Sequence, residues 1–264
     1  MSDRISVTIS DHVADVRLTR PDKMNALDEA MFEALIRTGE RLKSEPGLRA
    51  VVLSGEGRAF CAGLDRSRFG AMAEGATKPR NLGLRRHGIA NHPQYAVWVW
   101  RELPVPVIAA IHGVAFGGGF QLALAADLRY VAPDAKLSIM EIKWGLVPDM
   151  AGTQLLRHLV RDDVARELTY TGRVFSGEEA LGFGLATRLS ADPLAASLDT
   201  AREIAGRSPD AVRAAKRLFN AARTVTPEAG LTQEAIEQEA LIGSPNQAEA
   251  VRANLENRAP AFRD

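Results

Sequence analysis

The sequence has almost no cysteine: among its 264 residues only Cys61 carries a thiol. No intrachain disulfide can form, and a cysteine-rich zinc site is excluded. That usage fits a reducing compartment. An excess of one charge sign is also lacking. Lys and Arg total 33 and Asp and Glu total 33, so the formal net charge is zero. No global field therefore exists to gather nucleic acid or an acidic membrane surface. Long unbroken apolar runs are missing as well. The longest stretch free of Asp, Glu, Lys and Arg runs from Leu103 to Ala126, long enough for a span of about 20 residues. It is interrupted by Pro104, Pro106, His112, Gln121 and four glycines, which suits a buried strand, a turn and a helix better. Met1 to Ser10 is polar and lacks the apolar centre of a secretory signal. The expectation is a cytoplasmic protein with neither membrane nor nucleic acid as partner.

What is present is ordinary globular material, 46% hydrophobic and 25% charged. The length bounds the answer at one large domain or two small ones and permits a core without staples. Ile5 to Ile9 and Val13 to Leu18 read as a β-hairpin around Ser10-Asp11-His12. Asn25 is placed to cap a helix in which Met31, Leu35, Thr38 and Leu42 recur at helical spacing, ended by Pro46 and Gly47. Ala50 to Leu53 and Val105 to Ile111 have the compact apolar look of buried strands. Strands alternating with helices indicate an α/β core. Beyond about residue 150 helix signals dominate. Ser176 to Glu179 is a capping box, and Ser208-Pro209, Thr226-Pro227 and Ser244-Pro245 each set a hydroxyl before a first-turn proline.

Between Arg66 and His92 six basic residues (Arg66, Arg68, Lys78, Arg80, Arg85, Arg86) face one acid, Glu74. The segment reads as a solvated surface insertion, or as a lid that attracts an anionic ligand. Two glycine-containing turns each follow an apolar strand: Phe60 to Asp65, and His112 to Leu122 with the triplet Gly117-Gly118-Gly119. Glycine costs about 1 kcal/mol against alanine inside a helix, so a triplet at a helix start requires a reason. One reason is close helix-on-strand packing; the other is exposure of helix-start N–H groups to a ligand oxygen. The spacing is neither a dinucleotide fingerprint nor a phosphate loop, and no nucleophile elbow or zinc-protease pair occurs. His112, in an apolar strand, reads as a satisfied core residue rather than a base.

These turns, with Arg20 to Leu27 upstream and Glu141 to Pro148 downstream, resemble the enoyl-CoA hydratase/isomerase (crotonase) superfamily. Gly152-Thr153-Gln154, Thr171-Gly172-Arg173 and Ser176 to Leu185 continue the match in order along nearly the whole chain. The resemblance implies an α/β crotonase (ClpP-like) fold. Residues 1–195 would form a spiral of ββα units and 196–264 a helical region that builds a homotrimer or a dimer of trimers. It implies an acyl-CoA substrate, with coenzyme A entering as part of it, and no metal or other cofactor. A thioester oxygen would rest between the Leu64 and Gly118 amides, where preorganised donors stabilise an enolate. Leu64 is acceptable because a main-chain donor asks nothing of the side chain; a Cβ at Gly118 would crowd the thioester.

The family's hydratases carry two glutamates, at positions that are here Gln121 and Glu141. Glutamine can orient a water but cannot exchange a proton near neutral pH. Asp149 resembles the aspartate of the dienoyl-CoA isomerase branch, where it faces the glutamate across the acyl chain. Two readings of Asp149 stand: a proton carrier paired with Glu141, or a cap on a helix starting near Ala151. The resemblance places coenzyme A along Lys23, Met24, Ala62, Gly63, Asp65 and Gly117. Trp98 and Trp100 would wall the acyl pocket or belong to the core, and Phe262 and Arg263 would reach a neighbouring subunit's coenzyme A. Double-bond isomerisation of an enoyl- or dienoyl-CoA is the leading expectation. Hydration of a 2-enoyl-CoA, and binding of acyl-CoA without turnover, are the alternatives.

Overall fold

The computed structural model describes residues 4–75 and 81–264; Lys78 and Arg80 of the basic segment lie outside them. The strands are β1 (Ile5–Ser10), β2 (Val13–Leu18), β3 (Ala50–Gly55), β4 (Val107–Ile111), β5 (Val114–Phe116), β6 (Leu128–Val131), β7 (Lys136–Ser138), β8 (Phe175–Ser176) and β9 (Arg188–Leu189). The first half carries helices α1 (Glu29–Lys43), α2 (Arg66–Ala73), α3 (His92–Arg101) and α4 (Gly118–Leu124). The second half carries α5 (Gly152–Leu156), α6 (Asp162–Thr171), α7 (Gly177–Phe183), α8 (Pro193–Ala205), α9 (Pro209–Ala221), α10 (Pro227–Leu241) and α11 (Pro245–Leu255).

The main sheet has the order β1-β2-β3-β4-β6-β9. Only the β1/β2 hairpin in it is antiparallel. The central strands β3 and β4 are apolar but for Ser54, because both faces are covered. Val51, Leu53, Val107 and Ala109 pack with α1 and α3, while Ala50, Val52, Ile108 and Ala110 pack with Ala201 and Ala205 of α8. A second sheet, β5-β7-β8, stands beside the first. The boundary expected at residues 195 and 196 falls inside α8, a helix that closes one face of the main sheet. Among the described residues no helix is long and apolar enough to cross a membrane.

The capping signals act as their chemistry demands. Ser176 and Glu179 bond reciprocally, and Ser208, Thr226 and Ser244 each accept from the amide three residues on. One expectation is corrected. Asp28, not Asn25, caps α1, accepting from Met31 N–H at 2.9 Å. Asn25 is fully buried at φ 56°. Its side chain donates to the carbonyls of Glu56 and Ala59 at 3.0 and 2.8 Å and accepts from Arg20 N–H at 2.9 Å. It stitches the loop after β2 to the loop after β3. His112 lies just past β4, half-buried, with Nε2 2.9 Å from the Gly57 carbonyl.

Candidate active site

Parallel β3 and β4 end at the same edge of the sheet, so the turns that follow them emerge side by side. Cys61 N–H donates to Val114 O at 3.1 Å, and Phe116 N–H donates to Cys61 O at 3.0 Å. On its other side the first turn pairs with Leu27, whose N–H donates to Gly63 O at 2.8 Å and whose O accepts from Asp65 N–H at 3.0 Å. In that parallel register the Leu64 amide points away from Leu27. Gly118 opens α4, so its N–H has no acceptor within the helix. The two turns touch. A Cβ on Gly63, which sits at φ +83°, would lie 2.5 Å from Phe116 O and 3.6 Å from the Gly118 nitrogen. Leu64 and Gly118 line one cleft of about 940 Å³. The crowding that a Cβ would bring at Gly118 is with the protein's own Leu27 Cδ1 and Met150 Sδ, each at 2.9 Å.

Glu141 lines the same cleft and is 9% exposed. Its Oε1 accepts from Gln121 Nε2 at 2.6 Å, and its Oε2 is buried without a partner. Burial pushes this carboxyl up, against the opposing hydrogen bonds from its main chain and Gln121, and the Asp149 charge adds to the rise. Asp149 opens into the cleft as well, exposed at its surface, and partial desolvation by the cleft wall pushes its carboxyl up. The capping reading of Asp149 is set aside. The residue that starts α5 is Ala151, at φ 68°, with no side-chain cap bond.

Gln121 is 2% exposed and does not reach the cleft. Its Oε1 accepts from Met150 N–H at 2.8 Å and Gly152 N–H at 2.9 Å. Two donors at one end and a carboxylate at the other determine which way the amide faces. The expected water-orienting role is therefore corrected: Gln121 positions Glu141.

The arrangement is a glycine-built pair of amides beside a buried carboxylate with a raised pKa and one unpartnered oxygen. The family model for enoyl-CoA hydratase/isomerase matches residues 8–264. The chain belongs to this family. It is 32% identical over 262 residues, 98% of each chain, to (E)-benzylidenesuccinyl-CoA hydratase of Thauera aromatica. To the peroxisomal Delta(3,5)-Delta(2,4)-dienoyl-CoA isomerase of Arabidopsis thaliana it is 34% identical over 253 residues, 93% of this chain and 90% of the relative. The crystal structure of an enoyl-CoA hydratase from Bacillus anthracis superposes with a TM-score of 0.87 at 33% identity, covering 98% of each chain. The fold is the crotonase fold, and the protein is an enzyme of the enoyl-CoA hydratase/isomerase family that acts on acyl-CoA.

In this crotonase-family enzyme Lys23, Met24, Ala62, Gly63, Asp65 and Gly117 all line the cleft, as do Arg66 and Arg68 of the basic segment. Asp65 is engaged structurally: it accepts from Ser67 N–H at 3.0 Å and from Arg20 at 2.5 Å. The Ser67 amide above all, against some desolvation, holds its carboxyl down at about 2.

The two tryptophans do not reach the cleft, and the tail residues expected at a neighbouring subunit lie apart from it. Trp100 is fully buried in the core, its Nε1 donating to Ala96 O, and half-buried Trp98 faces a different cavity. On a strand residues 98 and 100 would share one face, but on α3 they diverge and neither lines the cleft. Phe262 and Arg263 are fastened by their main chains to Arg49 and Asn246, away from this chain's own cleft. What the sequence reading missed is the apolar wall. Phe69 and Trp144 stack at 4.1 Å, and Met24, Met72, Met140 and Met150, four of the six methionines, line the cleft. The signal was available at Trp144, inside the Glu141 to Pro148 motif. One group of possible metal ligands occurs among the described residues, Glu29, Glu33 and His92. The Arg68 guanidinium stands 3.1 Å from Glu29 and already neutralises part of its charge.

Proposed function

We propose that the enzyme moves a double bond along an enoyl- or dienoyl-CoA. The observation that carries this reading is that Glu141, with a buried and unpartnered Oε2, shares the cleft with Asp149, while Gln121 is withdrawn from it. One carboxylate removes a proton from the carbon next to the thioester. The electron pair shifts into the carbonyl, giving an enolate held by the Leu64 and Gly118 amides. One such donor contributes about 3 kcal/mol to the transition state. As the enolate collapses, the other carboxyl, protonated beforehand, delivers a proton at the far end of the conjugated system. Two carboxyls facing one cleft, both with raised pKa values, suit the giving and taking of a proton. The chemistry uses no cofactor beyond the coenzyme A of the substrate, for which Lys23, Met24 and Ala62 offer a path. Residues 196–264 are assigned to assembly as a trimer or a dimer of trimers.

Hydration of a 2-enoyl-CoA is the second reading, favoured by the hydratase names of several relatives. The two are separated by incubation with 2-enoyl-, 3-enoyl- and 3,5-dienoyl-CoA and mass analysis of the products. Isomerisation leaves the mass unchanged; hydration adds one water. Loss of mass-neutral conversion in Asp149→Asn supports the paired carboxylates, and its persistence at native rate removes Asp149 from the mechanism.

A further inference from the structure

A second cavity, of about 510 Å³, lies behind the Met150–Gly152 segment, with Ala151 in its wall. Its lining is basic: Arg101 from the end of α3, Arg157 and His158 after α5, and Arg223 after α9. Arg101 and Arg223 are half-buried, and among the described residues none of the three arginines forms an ion pair. The one acid in the lining, Glu102, is held by Lys43 at 2.7 Å. Asp127, whose field reaches Arg101, is bonded to Lys216 at 2.8 Å. Behind them Arg129 is almost fully buried and bonded only to the carbonyls of Leu185 and Ala126. Desolvation lowers the Arg101 pKa, and repulsion from Arg223 adds to the fall.

Arginine does not escape by losing its proton. Two half-buried guanidiniums beside one cavity, neither in an ion pair and with the nearby acids held by lysines, favour an anion between them. The guanidinium fork matches carboxylate and phosphate oxygens in a bidentate fashion. Trp98 adds a flat apolar wall. We infer that this cavity is a second ligand site, taking an anion whose phosphate or carboxylate oxygens are gripped between Arg101 and Arg223.

The test is calorimetric titration of the full-length protein with inorganic phosphate and, separately, with succinate, at ionic strength matched with chloride. The two titrants distinguish a phosphate from a carboxylate ligand. The inference expects one of them to bind the native protein. It also expects affinity at least tenfold weaker in Arg101→Gln, Arg223→Gln and the exposed-mouth variant Arg157→Gln, and unchanged in the cleft variant Lys23→Gln. Arg157→Gln and Arg223→Gln carry the test if Arg101→Gln fails to fold. Three results overturn it: no binding of either anion to the native protein, equal binding in the arginine variants, or weakening in Lys23→Gln alone. A changed sedimentation coefficient in the arginine variants also overturns it, because a carboxylate of a second copy would then fill the cavity.

Discussion

At the scale of single residues, the Gln121 amide ties together Glu141, Met150 N–H and Gly152 N–H. Gln121→Ala leaves two buried donors unmatched and frees Glu141, with an expected loss of about 1–3 kcal/mol in urea unfolding and a fall in turnover. Gln121→Glu is not a simple return to two free carboxylates. One of its oxygens would still accept from the two amides, and the other would need a proton to face Glu141. Glu141→Gln removes the proposed proton carrier and should lower turnover by about a hundredfold or more. Its effect on stability has the opposite sign. The Glu141 carboxyl is raised in the folded state, so ionising it costs more there than in the unfolded chain. Its burial destabilises the native state progressively as pH rises from the ordinary glutamate value through the raised one. Glu141→Gln should therefore melt higher than the native protein at neutral pH, with the gap closing in acid. That Glu141, Leu64 and Gly118 meet in one cleft was readable because each sits in a contiguous motif. That of Gln121 was not, because its partners are main-chain amides 29 and 31 residues away.

At the scale of elements, α2 has no buried residue, so its N-cap and the Arg20 ion pair matter more than packing. Asp65→Ala should cost about 1–2 kcal/mol and speed amide exchange along α2. The Asp65 carboxyl lies below its ordinary value, so its stabilisation is complete above 3.8 and is lost as pH falls from there toward about 2. The difference between native and variant should shrink over that interval. The start of α4 separates two neighbouring glycines. A Cβ on Gly119 would lie 2.3 Å from the Cys61 carbonyl oxygen, which is held in the turn, whereas at Gly118 it meets movable side-chain ends at 2.9 Å. Gly119→Ala should cost about 3 kcal/mol by thermal unfolding and Gly118→Ala about 1 kcal/mol or less. The triplet thus reflects close packing at Gly119 and an open amide at Gly118, the two reasons that spacing alone left level.

At the scale of the molecule, the C-terminal helices leave large apolar side chains uncovered. Helix α10 buries no residue, and Leu231, Ile236, Phe219 and Leu255 are 66%, 61%, 76% and 78% exposed. Such exposure fits contact between copies of the chain. Leu231→Glu with Ile236→Glu should reduce the sedimenting species from the proposed trimer or larger assembly to monomer, while helical content is retained. By itself the sequence determined what local chemistry decides: the first hairpin, the buried central strands, the hydroxyl and proline caps, and the succession of motifs that marks the family. Those features depend on periodicity and on neighbours a few residues apart. Tertiary structure alone decided that Asn25 bridges loops instead of capping α1, that α3 turns both tryptophans away from the cleft, and that Gln121 fastens the wall behind Glu141. The first and last depend on which distant main-chain groups fold to within about 3 Å of a side chain, and the second on how α3 packs against the core; nothing in the order of residues along one segment encodes either.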